Sequence, residues 1–408
     1  MSAAQWRRAM NTGAGRNAWS RPPSARATAR PVASEAAPPT PRGAAIADAF
    51  RTIGVRHVAV LLAVVIYPWV ASPFFTYQIG GQALALGLIA LSLTLLGGYG
   101  GMVSLAQMSI AGLAGYMVAI VGVAGAAQGG ASSLGWPGWV AVPLAIAIAT
   151  LFATFVGWLS VRTEGIYTIM ITLAIGVSFY YLMNQNYSIF GGHEGFNEVH
   201  PPNVLGIEFL QPIPFYYLAL FCALAGYFLI KYLLRAPFGV ALQGVRENAR
   251  RMNALGFDVT AHRIAAYTVA GLLAAIGGVL MAWYNGRISP GSVGVGAMLD
   301  ILVIAVLGGM RHPIGPFIGA IVFVLVQNFA IDVIARERFN LVIGIVFLSI
   351  VLFSPDGLLG LWGYFRTRIL PGGVRPKIKG WSVGPTRREP ARVRNGGRAA
   401  DRQKEERP

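Results

Sequence analysis

Few side chains in this chain of 408 residues have the types and spacing that catalysis needs. The four lysines are Lys231, Lys377, Lys379 and Lys404, and none is followed by Ser or Thr, so no Walker A phosphate-binding loop is present. The five histidines lack metal-ligand spacing, and no Gly-x-Ser-x-Gly nucleophile motif occurs. The sequence therefore predicts no catalytic residue, metal site or cofactor on this chain.

Uncharged polar residues within apolar stretches are better suited to contact a transported solute. Residues 95–112 and 307–320 each contain a Gly-Gly pair, a polar interruption and then a helix rich in small residues. Paired glycine-broken segments favour an inverted repeat with a solute pathway between its halves. The predicted pathway residues are Ser104, Gln107 and Ser109 in the first segment and Gly308, Gly309 and Pro313 in the second.

These pathway residues have a purely structural interpretation as well. Glycine and alanine let membrane helices approach closely, so the glycines also fit tight packing. The hydroxyls of Ser104 and Ser109 can hydrogen-bond back to the preceding helical turn. Both interpretations remain open at the level of sequence.

A second candidate site is the basic stretch at 235–262. It predicts one short helix from Pro237 to Leu255, ended by a C-capping Gly256. Its apolar residues are expected on one side and its charged residues on the other, as in a helix that docks into a groove of a partner protein. The alternative is an amphipathic loop that contacts anionic lipid. The candidate contact residues are Arg246, Glu247, Asn248, Arg250, Arg251 and Gly256.

The composition indicates what kind of secondary structure holds these candidate residues in place. Hydrophobic residues make up 55% of the chain and charged residues 12%, against about 25% charged in a soluble domain. Residues 1–57 hold nine Arg and two acidic residues, and residues 355–408 hold thirteen Lys or Arg and five acidic residues. Basic tails that flank an apolar body are typical of the positive-inside pattern of a membrane protein, not of a nucleic-acid binder.

We therefore expect an all-α integral membrane protein with about ten transmembrane helices, because a span needs roughly 20 mostly apolar residues. The spans are predicted near 58–78, 80–98, 104–125, 139–160, 165–184, 214–234, 263–284, 297–310, 314–332 and 339–354. The second and the eighth are short and contain glycine, so they are candidates for broken or re-entrant helices.

The loops predict the orientation. Five Arg in the 235–263 loop place it in the cytoplasm, whereas the 185–213 loop has acidic residues but no Lys or Arg and is expected outside. Glu194 and Asn197 in that outer loop are candidate contacts for an external protein, with a solvated loop as the alternative. Both termini are then cytoplasmic, and the domains are a basic disordered tail (1–57), a membrane domain (58–354) and a second basic, mostly disordered tail (355–408). The first tail also fits an organellar transit peptide.

Residues 246–280 resemble the coupling-loop region of the branched-chain amino-acid ABC transporter permease family, in particular the longer of its two permease types. In that family this loop contacts the ATPase subunit and carries a Glu-Ala-Ala run, where this chain has Arg250-Arg251-Met252. Further similar segments lie, in the family's order, at 97–119, 162–176, 190–196, 308–320 and 354–360.

The resemblance implies an importer in a bacterial inner membrane, with two permease subunits, two cytoplasmic ATPase subunits and an external solute-binding protein. It implies leucine, isoleucine and valine as substrates, while relatives carry urea, short amides or other small polar solutes. A stand-alone secondary transporter or channel is the main alternative, although spans that are nearly free of charge count against proton coupling. A membrane enzyme or a scaffold is a further one.

Overall fold

The computed structural model describes residues 55–122, 133–163, 165–202, 208–333, 344–345, 348 and 357–360. The expected tails at 1–57 and 355–408 and the tenth span at 339–354 lie almost entirely outside these residues. Residues 1–64 and 65–408 form separate units, and the packing described below lies within the second.

The described residues are mainly helical. The helices are α1 (Val55–Val70), α2 (Phe75–Tyr99), α3 (Gln107–Val121), α4 (Gly138–Ser160), α5 (Ile166–Gln185), α6 (Tyr187–Phe190), α7 (Pro212–Arg235), α8 (Pro237–Glu247), α9 (Ala249–Ala254), α10 (Val259–Asn285), α11 (Val295–Gly308) and α12 (Gly315–Val333). Two short strands, β1 (Phe196–Asn197) and β2 (Arg287–Ile288), pair antiparallel.

Five of these helices, α2, α4, α5, α7 and α10, are long and apolar enough to cross a membrane. Shorter apolar helices follow at Gln107–Val121, Val295–Gly308 and Gly315–Phe329. A helix satisfies its own backbone hydrogen bonds, which is why helical spans are stable in lipid. The chain is therefore a multi-pass, α-helical membrane protein.

The boundary between the first two predicted spans is wrong. The chain leaves the helix at Ala71 and Ser72, not near residue 79, and α2 then runs for 25 residues. Gly80 and Gly81 lie in its first, π-helical segment (Phe75–Gly81) and do not break it. Tyr216 and Phe215 of α7 pack against them, since a Cβ at these glycines would lie 2.7 Å and 3.0 Å from the two rings. The second span is therefore long and continuous, not short.

Helices α2 and α10 form the centre of the bundle. Residues that the protein itself buries make up 83% of the most apolar window of α2 and 61% of that of α10, against 28–39% for α4, α5 and α7. Helix α10 packs along α2, α3 and α4. The rest of the described chain therefore leaves most of the apolar surface of α4, α5 and α7 uncovered, whereas α2 and α10 are enclosed by their neighbours.

The two glycine-broken segments lie side by side. Helices α2 and α11 pack against each other, and Gly98, at the C-terminal end of α2, contacts Met310, just beyond the C-terminal end of α11. The two helices therefore run in the same direction. An inverted repeat would make corresponding helices antiparallel, so the expected inverted relation does not hold for these two segments.

Candidate coupling site and translocation pathway

The basic loop forms two helices, not the single helix that the sequence predicted. Asn248 interrupts them with an extended backbone (φ −159°, ψ 97°). Its side-chain oxygen accepts a hydrogen bond of 2.9 Å from the Arg251 backbone N–H. Asn248 thus caps the N-terminus of α9, which explains why an Asn replaces a helical residue here.

Gly256 ends α9 as predicted. Its φ of +89° is in the region that side chains disfavour. The Phe257 N–H donates to the Met252 carbonyl at 3.1 Å and the Gly256 N–H donates to the Asn253 carbonyl at 3.0 Å. This is the Schellman pattern of hydrogen bonds, which satisfies the last carbonyls of the helix and turns the chain towards α10.

One face of the basic loop is buried against the helical bundle and the other is exposed, as predicted. Ala241, Leu242 and Val245 are buried, and Phe238 stacks on His262 at the start of α10 with ring centroids 5.8 Å apart. On the other side, Glu247, Asn248, Arg250 and Arg251 are exposed. The exposed set forms a mostly basic surface that the rest of the described chain leaves uncovered.

Arg246 is exposed as well, as expected for the charged residues of this loop, and it also makes a contact that the sequence did not predict. Its guanidinium donates a hydrogen bond to the backbone carbonyl of Gly98 at the end of α2. Its aliphatic stem packs on Gly101, which has a φ of +70° and where a Cβ would lie 2.8 Å from the Arg246 Cγ. Arg246 therefore connects α8 to the glycine turn after α2.

The glycine turn contacts the second glycine segment as well. A Cβ at Gly98 would lie 2.1 Å from the backbone oxygen of Met310, so only glycine fits. The Tyr99 hydroxyl donates to the Arg311 carbonyl at 2.8 Å. The coupling loop, the turn at 97–101 and the turn at 309–314 therefore meet at one end of the helical bundle.

The structure buries the first set of predicted pathway residues. Ser104, Gln107 and Ser109 are at most 1% exposed. The Gln107 side-chain oxygen accepts a 3.0 Å hydrogen bond from Ser92. Neither serine hydroxyl bonds back to a preceding turn, and neither has a hydrogen-bond partner among the described residues. The back-bonding alternative is thus wrong for Ser104 and Ser109.

The second set packs backbone against backbone. A Cβ at Gly308 would lie 1.9 Å from the Gly315 oxygen, and one at Gly357 would lie 2.6 Å from the Gly309 Cα. Pro313 is half-buried in the turn between α11 and α12. Gly308 and Gly309 thus have the close packing that was their structural alternative, and their place along a pathway stays a prediction.

Sequence reasoning missed two further buried polar residues, Ser160 at the end of α4 and Tyr267 in α10. Tyr267 packs against α4, where a Cβ at Gly157 would lie 2.5 Å from the Tyr267 Cβ. A polar residue inside an apolar run was the available signal, but nothing in the spacing indicates that α4 and α10 meet at this point.

The outer loop is fixed to the opposite end of α10. Phe196 pairs with Ile288 and Asn197 with Arg287, and the Val199 N–H donates to the Gly286 carbonyl at 2.9 Å. Glu194 and Asn197 are exposed on this cap. Both are accessible to a partner, as the predicted external contact requires, and that contact stays a prediction.

These features define a polytopic α-helical membrane protein with a polar interior and a basic, partly uncovered loop. The chain belongs to the family described as branched-chain amino acid transport system / permease component, whose model matches residues 76–351. The sequence resemblance is thereby confirmed, and members of this family are transport subunits and not enzymes.

Curated relatives agree with this family. The chain is 27% identical over 244 residues to the high-affinity branched-chain amino acid transport system permease protein LivM of Salmonella typhimurium, and equally to that of Escherichia coli K12. Each match covers 54% of this chain and 57% of the relative, so the chain spans little more than half the length of either. A probable branched-chain amino acid transport permease protein LivM of Methanocaldococcus jannaschii is 25% identical over 236 residues, covering 53% of this chain and 67% of the relative. No solved structure matches the chain.

Proposed function

We propose that this chain is the membrane-spanning permease subunit of an ATP-driven importer for branched-chain amino acids. The family and the printed functions of the relatives support the substrate class. We place the protein in a bacterial inner membrane with about ten spans, both termini in the cytoplasm, and basic tails at 1–57 and 355–408. The assembly includes a second permease subunit, two cytoplasmic ATPase subunits and an external solute-binding protein.

The coupling mechanism is inferred from two kinds of residue on the basic loop: those free to contact a partner protein and one that contacts the helical bundle. Glu247, Arg250 and Arg251 are exposed, and the neighbouring Arg246, also exposed, donates a hydrogen bond to the Gly98 carbonyl. The outward residues then bind the ATPase subunit, and α8 transmits its movement inward. Asn248 and Gly256 fix the shape of the loop between these two contacts.

The movement passes along a short route. A displacement of α8 pulls on the turn at 97–101, which contacts both the 309–314 turn and the start of the Ser104–Ser109 segment. Rearrangement of these two turns opens or closes the pathway that Ser104, Gln107 and Ser109 line. At the outer surface, Glu194 and Asn197 contact the solute-binding protein, and lipid surrounds the outer helices.

Reconstitution into proteoliposomes with the ATPase and the second permease subunit tests this function. Radiolabelled leucine should enter only with ATP and the binding protein. Reversing both outer charges (Arg250→Glu with Arg251→Glu) should abolish co-purification of the ATPase. The same reversal at Arg287, on the opposite end of α10, is the matched control and should not. Uptake by the purified chain alone without ATP would instead identify a stand-alone carrier or channel.

A further inference from the structure

An apolar groove runs along the uncovered side of α4. Its volume is about 670 Å³, and it is lined by Leu113 of α3, Ile264 of α10, and Leu151, Phe152, Phe155 and Trp158 of α4. In the described part of the chain its walls contain no charged side chain, and their one hydroxyl, that of Thr154, donates to the Thr150 carbonyl at 2.9 Å. The groove therefore suits a hydrocarbon chain and not a polar solute.

The groove is open on the side that faces away from the bundle. Leu151 is 71% exposed, Phe155 53% and Trp158 48%. The rings of Phe155 and Trp158 stack with their centroids 6.2 Å apart, so they form one continuous wall. Large apolar side chains that lie exposed next to each other mark a contact surface, and for a helix long and apolar enough to cross a membrane this contact includes lipid.

The groove has the length of one leaflet of a bilayer. Its residues on α4 extend from Ile148 to Trp158, which is roughly 15 Å at a rise of about 1.5 Å per residue. The hydrocarbon core of a bilayer is about 30 Å thick, so the groove covers half of it. A Cβ at Gly157 would lie 2.5 Å from the Cβ of Tyr267, near the start of α10, so Trp158 lies at the end of the bundle that carries the coupling loop.

A cation lies at this end of the groove. The guanidinium carbon of Arg162 is 4.8 Å from the centroid of the Trp158 ring, which is a cation–π contact. Arg162 is exposed, and no acidic side chain among the described residues forms an ion pair with it. Tryptophan is typical of the membrane–water interface, where its ring lies at the level of the lipid head groups. Arg162 is therefore placed to meet a head group.

The described charges around Arg162 favour an anion. Arg263, at the start of α10, adds a second positive charge. The carboxylate of Asp258 is occupied as the N-cap of α10, since it accepts a hydrogen bond of 3.0 Å from the Ala261 N–H. Glu164 lies outside the described residues and is varied in the experiment below.

We propose that this groove binds one acyl chain of an anionic phospholipid and that the lipid phosphate binds the Arg162 guanidinium. A guanidinium forms paired hydrogen bonds with phosphate oxygens, and basic pockets between membrane helices bind anionic head groups. Under the proposed orientation the lipid belongs to the inner leaflet; the groove and its cation do not depend on that assignment. Another groove, of about 380 Å³ beside Tyr77 and Gln78 at the opposite end of α2, has no charged side chain in its described walls and is expected to show no head-group preference.

Photo-cross-linking tests the groove in the assembled transporter. The transporter is reconstituted into phosphatidylcholine vesicles that contain a small amount of phosphatidylglycerol with a diazirine in one acyl chain. Cross-linked peptides should include residues 148–158 of α4. A phosphatidylcholine probe with the same acyl chain should label this segment about fivefold less, because its head group has no net charge.

Two results of this experiment would overturn the proposal. If neither probe labels 148–158, a protein surface such as the second permease subunit covers the groove and no lipid occupies it. If both probes label this segment equally, the groove contacts lipid without selecting an anionic head group. The peptide that contains Tyr77 and Gln78 is the internal control, where equal labelling is expected.

Variants of the purified full chain test the head-group contact. Arg162→Gln removes the cation and leaves the groove, so we expect the affinity for phosphatidylglycerol, measured by native mass spectrometry, to fall about fivefold. Arg162→Lys keeps the charge but not the planar guanidinium and should lose less. Arg287→Gln, at the opposite end of α10, is the matched control and should bind normally, and Glu164→Gln should not lower the affinity.

An unchanged affinity in Arg162→Gln, or an equal loss in Arg287→Gln, would refute the contact between Arg162 and the phosphate. Native mass spectrometry detects the intact chain with and without lipid, so a variant that fails to fold is distinguished from one that binds lipid weakly. These measurements use neither ATP nor leucine. Absence of ATP-driven leucine uptake would therefore refute the proposed function and leave the lipid site to its own test.

Discussion

Arg246 of the coupling loop donates a hydrogen bond to the backbone carbonyl of Gly98, 148 residues earlier in the chain. The last carbonyls of a helix have no partner within the helix, and the C-terminal end carries a partial negative charge. A guanidinium is therefore a favourable partner at this place. The contact ties α8 to the end of α2, the most buried of the candidate spans.

The first prediction concerns this contact. A hydrogen bond to a charged group contributes about 1.5–3 kcal/mol, so Arg246→Ala should lower leucine uptake per ATP hydrolysed by about tenfold or more. Co-purification with the ATPase should persist, because the outward residues are unchanged. The matched control is Arg250→Ala, which should weaken ATPase binding instead. Coupled uptake at the normal ratio in Arg246→Ala would show that the contact transmits nothing.

The second prediction concerns Gly98. A methyl group there would lie 2.1 Å from the Met310 oxygen, and both partners are backbone, so neither can move away as a side chain could. Gly98→Ala should therefore destabilise the protein by about 1–3 kcal/mol or more. Gly296→Ala in α11, where a Cβ meets nothing within 4 Å, is the control. Thermal unfolding in detergent should separate the two, and equal melting temperatures would contradict the close approach.

The third prediction concerns the helix cap at Asn248. Asn248→Ala removes the acceptor of the Arg251 N–H and should destabilise α9 by about 1 kcal/mol, whereas Asn248→Asp keeps an acceptor. We expect faster amide hydrogen exchange over 249–254 in the alanine variant only. Identical exchange in both variants would mean that α9 does not depend on its cap.

The fourth prediction concerns orientation. Asn253 on α9 and Glu194 on the outer loop are both exposed. In a Cys222→Ala background, Asn253→Cys should react with an impermeant thiol reagent only in inside-out vesicles, and Glu194→Cys only in right-side-out vesicles. The opposite pattern would place the coupling loop outside the cell and would remove the basis of the proposed function.

Much of the helical framework could be predicted from the sequence. The predicted spans 139–160, 165–184 and 214–234 agree within about two residues with α4, α5 and α7. The reason is that lipid requires an uninterrupted apolar helix, which a sequence records locally. Gly256 was predictable for a similar reason, since a C-capping glycine acts within its own turn.

Predictions failed where distant segments decide the outcome. Gly80 and Gly81 stay within a helix and pack directly against Tyr216 and Phe215 of α7, and no property of residues 75–99 indicates this contact. Arg246 is exposed as helical spacing predicted, but its hydrogen bond to the carbonyl of Gly98, on a distant segment, was not predicted.

The sequence by itself determined that this chain is an apolar, multi-pass helical permease with a basic loop, because composition and local patterning are sufficient to specify insertion into a membrane. Only the tertiary structure decided which polar groups meet inside it. Arg246 and Gly98 are far apart in sequence, and they meet only because α8 packs back against the glycine turn after α2.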